Sequence, residues 1–392
     1  MSQQLISRNQ DLKLLRDEGY QIELYGGYLI AHHIPYVNKF KEVKSGKLVC
    51  SLSMSGDTCI KPDNHVIQFA GEFPCDNNGV EISGIKHQNL NQSIGNSIIL
   101  NHSFSNKPQQ GYSNYYEKIK RYAEIISSPA KAIDSNVTEK PFIPIKSSND
   151  NDVFKYFDTN SSRANISMVN SKIQGQKIAI IGLGGTGSYI LDLISKSMVA
   201  EINLYDGDKL FNHNAFRFPG AASIDDLKKA PMKVEYLYNR YSTMRFGLHA
   251  HPYYIIQSNL DELLSMDFIF LSLDNNEVRS LIVNFLIDHN KKFIDVGLGV
   301  NLVEDQMIGS LRVTSFDGEN SEHIDCRIPK VDDLENEYKS NIQIVELNCL
   351  NATLAVIKWK KMSGFYQDLV NESNSTYSFN NSLLLNEDVY ET

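Results

Sequence analysis

Two groups of residues in this 392-residue chain are of a type and spacing suited to a phosphorylated ligand. The first is Gly182-Leu183-Gly184-Gly185-Thr186-Gly187. Glycines leave the backbone bare, so its N–H groups can approach an anion closely. A helix starting there adds unpaired donors and the positive end of its dipole. The second is Asp206-Gly207-Asp208, closing the run Glu201–Tyr205. A carboxylate at that place can accept hydrogen bonds from ribose hydroxyls. Asn214 and Arg217 follow within a dozen residues, then Lys233-Val-Glu235, and then Asp274-Asn275-Asn-Glu-Val-Arg279 after the apolar run Phe268–Leu273. Each has a plainer reading alone: a turn that only packs a helix on a strand, a solvated acidic turn, an exposed arginine, a lysine on a charged helix face. Their order argues for a shared site.

The elements that must position these groups are legible around them. Ile178–Ile181 is an apolar run, as in a parallel strand buried on both faces. Tyr189 with Leu193 and Ile190 with Ile194 give helical spacing after the glycines. Strand, glycine turn, helix, strand and terminal acid form the nucleotide-binding half of a Rossmann-like unit. Strands alternate with helices through Gly297, giving an α/β domain with a mostly parallel sheet. Residues 341–361 present an apolar face and are expected as a long helix packed on that sheet. Residues 377–392 read as a short strand and an acidic end.

The first third of the chain reads differently. An amphipathic helix is expected over residues 4–16, strands over 21–30, 47–53 and 65–69, and a helix over 114–126 closed by Ser128-Pro129-Ala130. That is a smaller α+β domain, residues 1–135. Residues 136–151, polar with two prolines, are the expected linker. Residues 152–392 form the second domain.

The constellation from Gly182 to Arg279 resembles the ThiF/MoeB/HesA superfamily, the ubiquitin-activating-enzyme-like adenylyltransferases. The resemblance covers the C-terminal three-fifths of the chain. It implies ATP-dependent adenylation of the C-terminal carboxylate of a small β-grasp, ubiquitin-like protein. By it, Asn214, Arg217 and Lys233 contact the phosphate chain, Asp274 binds Mg2+ beside Asn275, and a homodimer forms in which Arg163 reaches the partner's nucleotide. Phe218 stands where many relatives have glutamine, which bears on local packing. The paired cysteines that hold a structural zinc in many relatives are missing, so no zinc is expected. Bacterial members with an extra N-terminal domain suggest a ubiquitin-conjugating-like fold for residues 1–135, although that family's His-Pro-Asn tripeptide and its cysteine are not recognisable.

The acceptor of any transferred acyl group stays open. Cys326, in His323-Ile-Asp-Cys326-Arg327, has a histidine and an arginine nearby that could lower its pKa. Cys75 leads among the N-terminal cysteines, and Ser103 beside His102 could form an oxyester. Cys349, within the apolar helix, reads as an inert core thiol. His32-His33 alternate faces on a strand, and His249 and His251 lack a nearby partner, so neither pair reads as a metal site.

Composition narrows the classes. There are 38 Lys and Arg against 47 Asp and Glu, a net charge of −9, and no basic run, which argues against nucleic acid. No apolar run of about 18 residues and no leader-like start are seen, so a cytoplasmic protein without a membrane partner is expected. Five widely spaced cysteines suit a reducing compartment. Two other functions fit parts of the pattern. A sulfur-carrier adenylyltransferase keeps the chemistry and changes the partner. An NAD-dependent Rossmann dehydrogenase explains Asp206 but leaves Asn214, Arg217 and Lys233 without work.

Overall fold

The computed structural model describes residues 2–95, 97–146, 152–164, 166–330 and 342–389. The chain divides into two units, Met1–Asp150 with Tyr156–Ala164, and Asn151–Lys155 with Asn165–Thr392.

Unit 1 opens with α1 (Ser2–Arg8) and α2 (Gln10–Asp17) rather than one continuous helix. The break is at Asn9, whose backbone is extended (φ −110°, ψ 112°). Its buried amide donates to the Leu5 and Asp57 carbonyls at 2.8 and 2.9 Å and accepts from Cys59 N at 2.5 Å. Those ties to the small hairpin of β4 (Met54–Ser55) and β5 (Thr58–Cys59) compete with helix continuation. The main sheet uses β1 (Ile22–Tyr25), β2 (Tyr28–Val37), β3 (Val43–Ser51), β6 (Val66–Ala70), β7 (Lys86–Ser93) and β8 (Ile99–Ser105). Its order is β1-β2-β3-β6-β8-β7, antiparallel throughout. β7 escaped the sequence pattern because it is an edge strand, KHQNLNQS, exposed at nearly every position.

One face of this sheet is covered by α3 (Tyr115–Ile133), which buries Tyr115, Ile119, Tyr122, Ala123 and Ile126 with Leu29, Leu48, Phe69 and Phe104. Asn114 caps α3 by accepting from Glu117 N at 2.9 Å. The helix continues through Pro129, past the expected stop. Proline near the end of a helix forfeits one backbone bond, and buried Ser127 and Ala130 hold that last turn in place. Of the expected linker, residues 136–146 lie on this unit: Phe142 N donates to Gly19 O at 3.2 Å, and Lys140 pairs with Glu18 at 2.6 Å. Residues 147–151 are outside the described residues. The unit also holds α4 (Thr159–Arg163), tied to α2 through Ser162, whose hydroxyl accepts from Arg16 at 2.8 Å.

Unit 2 runs α5 (Ser167–Asn170), β9 (Lys177–Ile181), α6 (Gly185–Ile194), β10 (Glu201–Tyr205), α7 (Asn212–Ala215), α8 (Ile224–Lys229), α9 (Lys233–Tyr241) and β11 (Leu248–His251). It continues with β12 (Phe268–Leu271), α10 (Asn276–Asp288), β13 (Phe293–Val303), β14 (Gln306–Phe316), α11 (Ile324–Arg327), α12 (Val345–Met362), β15 (Glu372–Ser378) and β16 (Leu383–Val389). The sheet order is β11-β10-β9-β12-β13-β14-β15-β16. The first five strands are parallel and the last three are joined antiparallel. β9 shows why the layers form: Ile178 and Ile180 pack into one core with α6, α9 and α12, while Ala179 and Ile181 pack into the other with α10. The acidic end expected after a short strand is itself part of β16, where Glu387 and Asp388 pair with Arg327 at 3.2 and 2.8 Å. Residues 390–392 lie outside the described residues, as does Asn341 of the expected helix. Among the described residues no helix is long and apolar enough to cross a membrane.

Candidate functional site

Strand order in unit 2 reverses around β9, and the crevice at the C-terminal ends of the strands is where such sheets bind ligands. Gly182 leaves β9 with φ 85°, and a Cβ there would sit 2.2 Å from Ser272 O at the end of β12. A Cβ on Gly187 would sit 1.9 Å from Gly182 O. These two glycines let strand, turn and α6 close up. Gly184 is different: it caps α6, and a Cβ there would meet nothing within 4 Å. The turn is therefore tight beneath and open at Gly184, and the free amides of α6 begin beside that opening.

Asp206 is buried where β10 ends and holds the turn from the side. Its carboxylate accepts from Leu183 N at 2.7 Å and from Asp208 N at 2.8 Å. Lys233, the first residue of α9, places Nζ 3.5 Å from Asp206 and 2.6 Å from Asp208. Burial raises the Asp206 carboxyl above the ordinary range, against the pull of Lys233 and the two backbone donors. For Asp208, burial is the largest single influence and works upward, but hydrogen bonds from Lys233 and Tyr254 together outweigh it and hold the group low. Tyr254 was not visible in the sequence as a site residue. Its hydroxyl donates to Asp208, and its ring lies where a Cβ on Gly207 would collide at 2.6 Å, so the glycine between the two acids is the one signal for it. The hydrogen bond to Asp208, then burial and the charges of Asp208, Asp206 and Asp274, push the Tyr254 hydroxyl up to about 12. All three acids thus act on one neighbourhood.

Asn214 is buried in α7, and its side-chain oxygen accepts from Phe211 N at 2.8 Å, shaping the turn that presents Arg217. Arg217 is half-buried, and its Nε has no acceptor among the described residues. Burial lowers its pKa, with the charge of Asp274 opposing. Asp274 is exposed in the loop after β12 and makes no side-chain hydrogen bond or ion pair among the described residues. Asn275 caps α10 by accepting from Val278 N at 2.8 Å. That loop is braced from below. Arg279 donates to Leu273 O and to the Asn276 side chain, and its Nε lies 3.1 Å from the fully buried Asp295. The Arg279–Asp295 approach attracts by charge but is poorly aligned, since neither facing atom is hydrogen-bonded. Asp295 is held by Arg312 at 2.5 Å. Arg279 and Asp295 carry no separate motif beyond the arginine five residues after Asp274.

The remaining candidates stand apart. Arg163 is the exposed last residue of α4, in unit 1. Cys326 is exposed on α11, but the two neighbours expected to activate it are engaged elsewhere: His323 bonds to Ser315 O at 2.9 Å, and Arg327 pairs with Glu387 and Asp388. Cys75 is 1% exposed, and burial raises its thiol pKa, which disfavours a thiolate. Ser103 is buried and meets His87 Nδ1 at 2.9 Å, whereas His102 turns to Asn89. Among the described residues no three His, Cys, Asp or Glu side chains gather as a metal site.

Residues 10–159 match a family described as Domain of unknown function (DUF6791), and residues 162–357, half of the chain, match the ThiF family. Ubiquitin-like modifier-activating enzyme 5 of Drosophila virilis is 26% identical over 157 residues, covering 36% of this chain and 38% of that protein. The chain thus spans under two-fifths of the length of this curated relative. Among solved structures, E. coli MccB with ATP is similar at 18% identity and a TM-score of 0.44, covering 79% of this chain and 97% of that one. PaaA is similar at 16% identity and a TM-score of 0.47, covering 83% and 96%.

Proposed function

Because the chain belongs to the ThiF family, we propose that it adenylates a carboxylate with ATP, and that the carboxylate is the C-terminus of a small β-grasp, ubiquitin-like protein. In that reaction the carboxylate oxygen attacks the α-phosphorus, the bond to the β-phosphate oxygen breaks, and pyrophosphate leaves as an acyl-adenylate forms. The observation that carries the reading is the half-buried Arg217, whose Nε has no acceptor among the described residues and which feels the charge of the exposed Asp274, in a domain whose glycine turn is open at Gly184. A half-buried guanidinium without an acceptor is unfavourable for the fold, yet it is preorganised for an anion.

Each residue has a task in this reading. The amides at Gly184 and Gly185 receive phosphate oxygens, while Gly182 and Gly187 keep the turn closed. Asp206 accepts from the ribose, with Asp208 and Tyr254 beside it. Arg217 and Lys233 offset charge as pyrophosphate departs, and Asn214 and Asn275 shape their two loops. The set fits Mg2+, which takes one or two carboxylates and otherwise phosphate oxygens and water. Asp274 would hold it, and the ion would supply charge neutralisation on the triphosphate.

The N-terminal unit, residues 1–135 with 136–146 and α4 lying on it, would act as a ubiquitin-conjugating-like module after activation, and the second unit would carry the adenylation. Cys326, being exposed, is the first acceptor to test. Cys75 and Ser103 are buried as they stand. A homodimer would let Arg163 serve the partner's nucleotide. The test is intact-mass analysis after mixing the chain, Mg-ATP and a ubiquitin-like protein encoded beside it. An AMP adduct or a covalent complex is expected, and Asp274→Ala should abolish pyrophosphate release. Turnover that survives Asp274→Ala refutes the metal role, and no ATP binding by the parent chain refutes the reading. Sensitivity of a complex to thiol, against mild base, separates a thioester from an oxyester.

A further inference from the structure

We propose that Asn348 is a phosphate-binding residue, its side-chain amide completing the anion site at the head of α6; this rests on the nucleotide reading above. Asn348 lies in the second turn of α12, which packs along α6, and is 1% exposed. The Thr186 hydroxyl donates to its Oδ1 at 2.8 Å, which ties the amide to the first turn of α6. The other end, Nδ2, is buried and has no acceptor among the described residues. It points at the first residue of α6: a Cβ built on Gly185 would lie 2.3 Å from it. Gly185 therefore serves Asn348, since any side chain there would expel the amide from the first turn of the helix.

Three features meet at this point. The amides at the start of α6 lack intrahelical partners, the space over Gly184 is open, and a buried amide N–H waits for an acceptor beside Gly185. Buried donors are almost always satisfied, so an unsatisfied one beside an open helix start marks where an anionic oxygen belongs. Asn351, one turn further along α12, does not supply that acceptor. Its Nδ2 donates to Gly297 O at 2.9 Å, and its Oδ1 is itself unpaired. The two orphan atoms do not meet, which separates Asn348 from a simple side-chain pair within the core. The donor lies beside Gly185 at the start of α6, where the helix dipole and the free amides favour an anion, so the contact is assigned to phosphate rather than to the base or the sugar.

The experiment is calorimetric titration of the full chain with Mg-ATP, AMP and adenosine, for the parent, Asn348→Ala and Asn348→Asp. Asn348→Asp keeps the acceptor for Thr186 and sets a carboxylate oxygen against the phosphate. Both variants should bind ATP and AMP about tenfold or more weaker, with Asn348→Asp the worse, while adenosine affinity stays within about twofold. Should Asn348→Asp fail to fold, Thr186→Val, which frees the amide to turn, gives the same contrast at a smaller size. ATP affinity within about twofold of the parent in folded variants overturns the proposal, as do equal losses for ATP and adenosine. If the parent itself binds no ATP, the nucleotide reading falls with it; if the parent binds and the variants match it, only the role of Asn348 falls.

Discussion

Arg217→Met separates a residue kept for a ligand from one kept for the fold. The Nε of Arg217 is buried without an acceptor, and a donor left in that state costs about 1–3 kcal/mol when fully desolvated. The guanidinium is only half-buried, so solvent around the rest of it brings the figure to the low end of that range. Methionine fills similar space and removes the donor. The variant should therefore be as stable as the parent or more so, by up to about 1 kcal/mol, a rise of roughly 2–4 °C in the melting temperature. Nucleotide binding should move the other way. One charge-assisted bond to phosphate is worth about 1.5–3 kcal/mol, so Mg-ATP affinity should drop by about tenfold to a hundredfold. Paired calorimetric titration and thermal melts measure both. Arg217→Lys, which keeps charge and loses the planar fork, should fall between. A variant that melts several degrees lower while binding ATP as the parent does would refute the argument, because it would make Arg217 a structural residue.

The other predictions test separate parts of the chain. Gly182→Ala and Gly187→Ala set a Cβ against backbone oxygens at 2.2 and 1.9 Å, which cannot swing aside, so each should lower the urea midpoint sharply and Gly184→Ala should do so far less. Arg245 is 1% exposed and donates to Val199 O at 2.6 Å and to Phe246 O at 3.0 Å, with longer contacts to three carbonyls at the end of α6. Arg245→Ala leaves those acceptors stranded and should cost about 3 kcal/mol or more, read from the same denaturation curves. Iodoacetamide with peptide mapping should label Cys326 quickly and spare Cys50 and Cys75, both buried, with burial pushing the Cys50 thiol up to about 11. Asp208 is held low in the fold, so its contribution is present above the ordinary carboxylate range and is lost as pH falls through its folded pKa. The stability gap between the parent and Asp208→Asn should accordingly close below about pH 4, and a gap unchanged there would refute the assignment.

The order of strand, glycine turn, helix, strand and acid was legible because each step changes periodicity or ends on a residue with a backbone reason, as Gly182 shows. The pieces that bind across the chain were not. Asp206 and Lys233 could be seen as separate residues, but not that Lys233 would be held between two carboxylates. Tyr254 joined the site from a loop, and Asn348 from a helix read only for its apolar face. In unit 1 the errors have two causes. The break at Asn9 is set by partners distant in sequence, which no local pattern reports. β7, by contrast, pairs with the neighbouring β8 but is polar and exposed along its length and so carries no apolar alternation.

The arrangement around Lys233 has a mechanistic consequence. Its ammonium is paired 2.6 Å from Asp208, and Tyr254 donates to the same carboxylate. A nucleotide that draws Lys233 toward its phosphates must loosen this pair, and the partly exposed Asp208 can be rehydrated when it does. Arg217 has no such competitor, since its Nε is already without an acceptor. In the proposed reaction the two cations would then act at different moments: Arg217 on an arriving anion, Lys233 once Asp208 yields it, with Asp206 still 3.5 Å away. Asp208→Asn should then strengthen ground-state ATP binding while Arg217→Met weakens it, and the opposite pairing of signs would reverse the order.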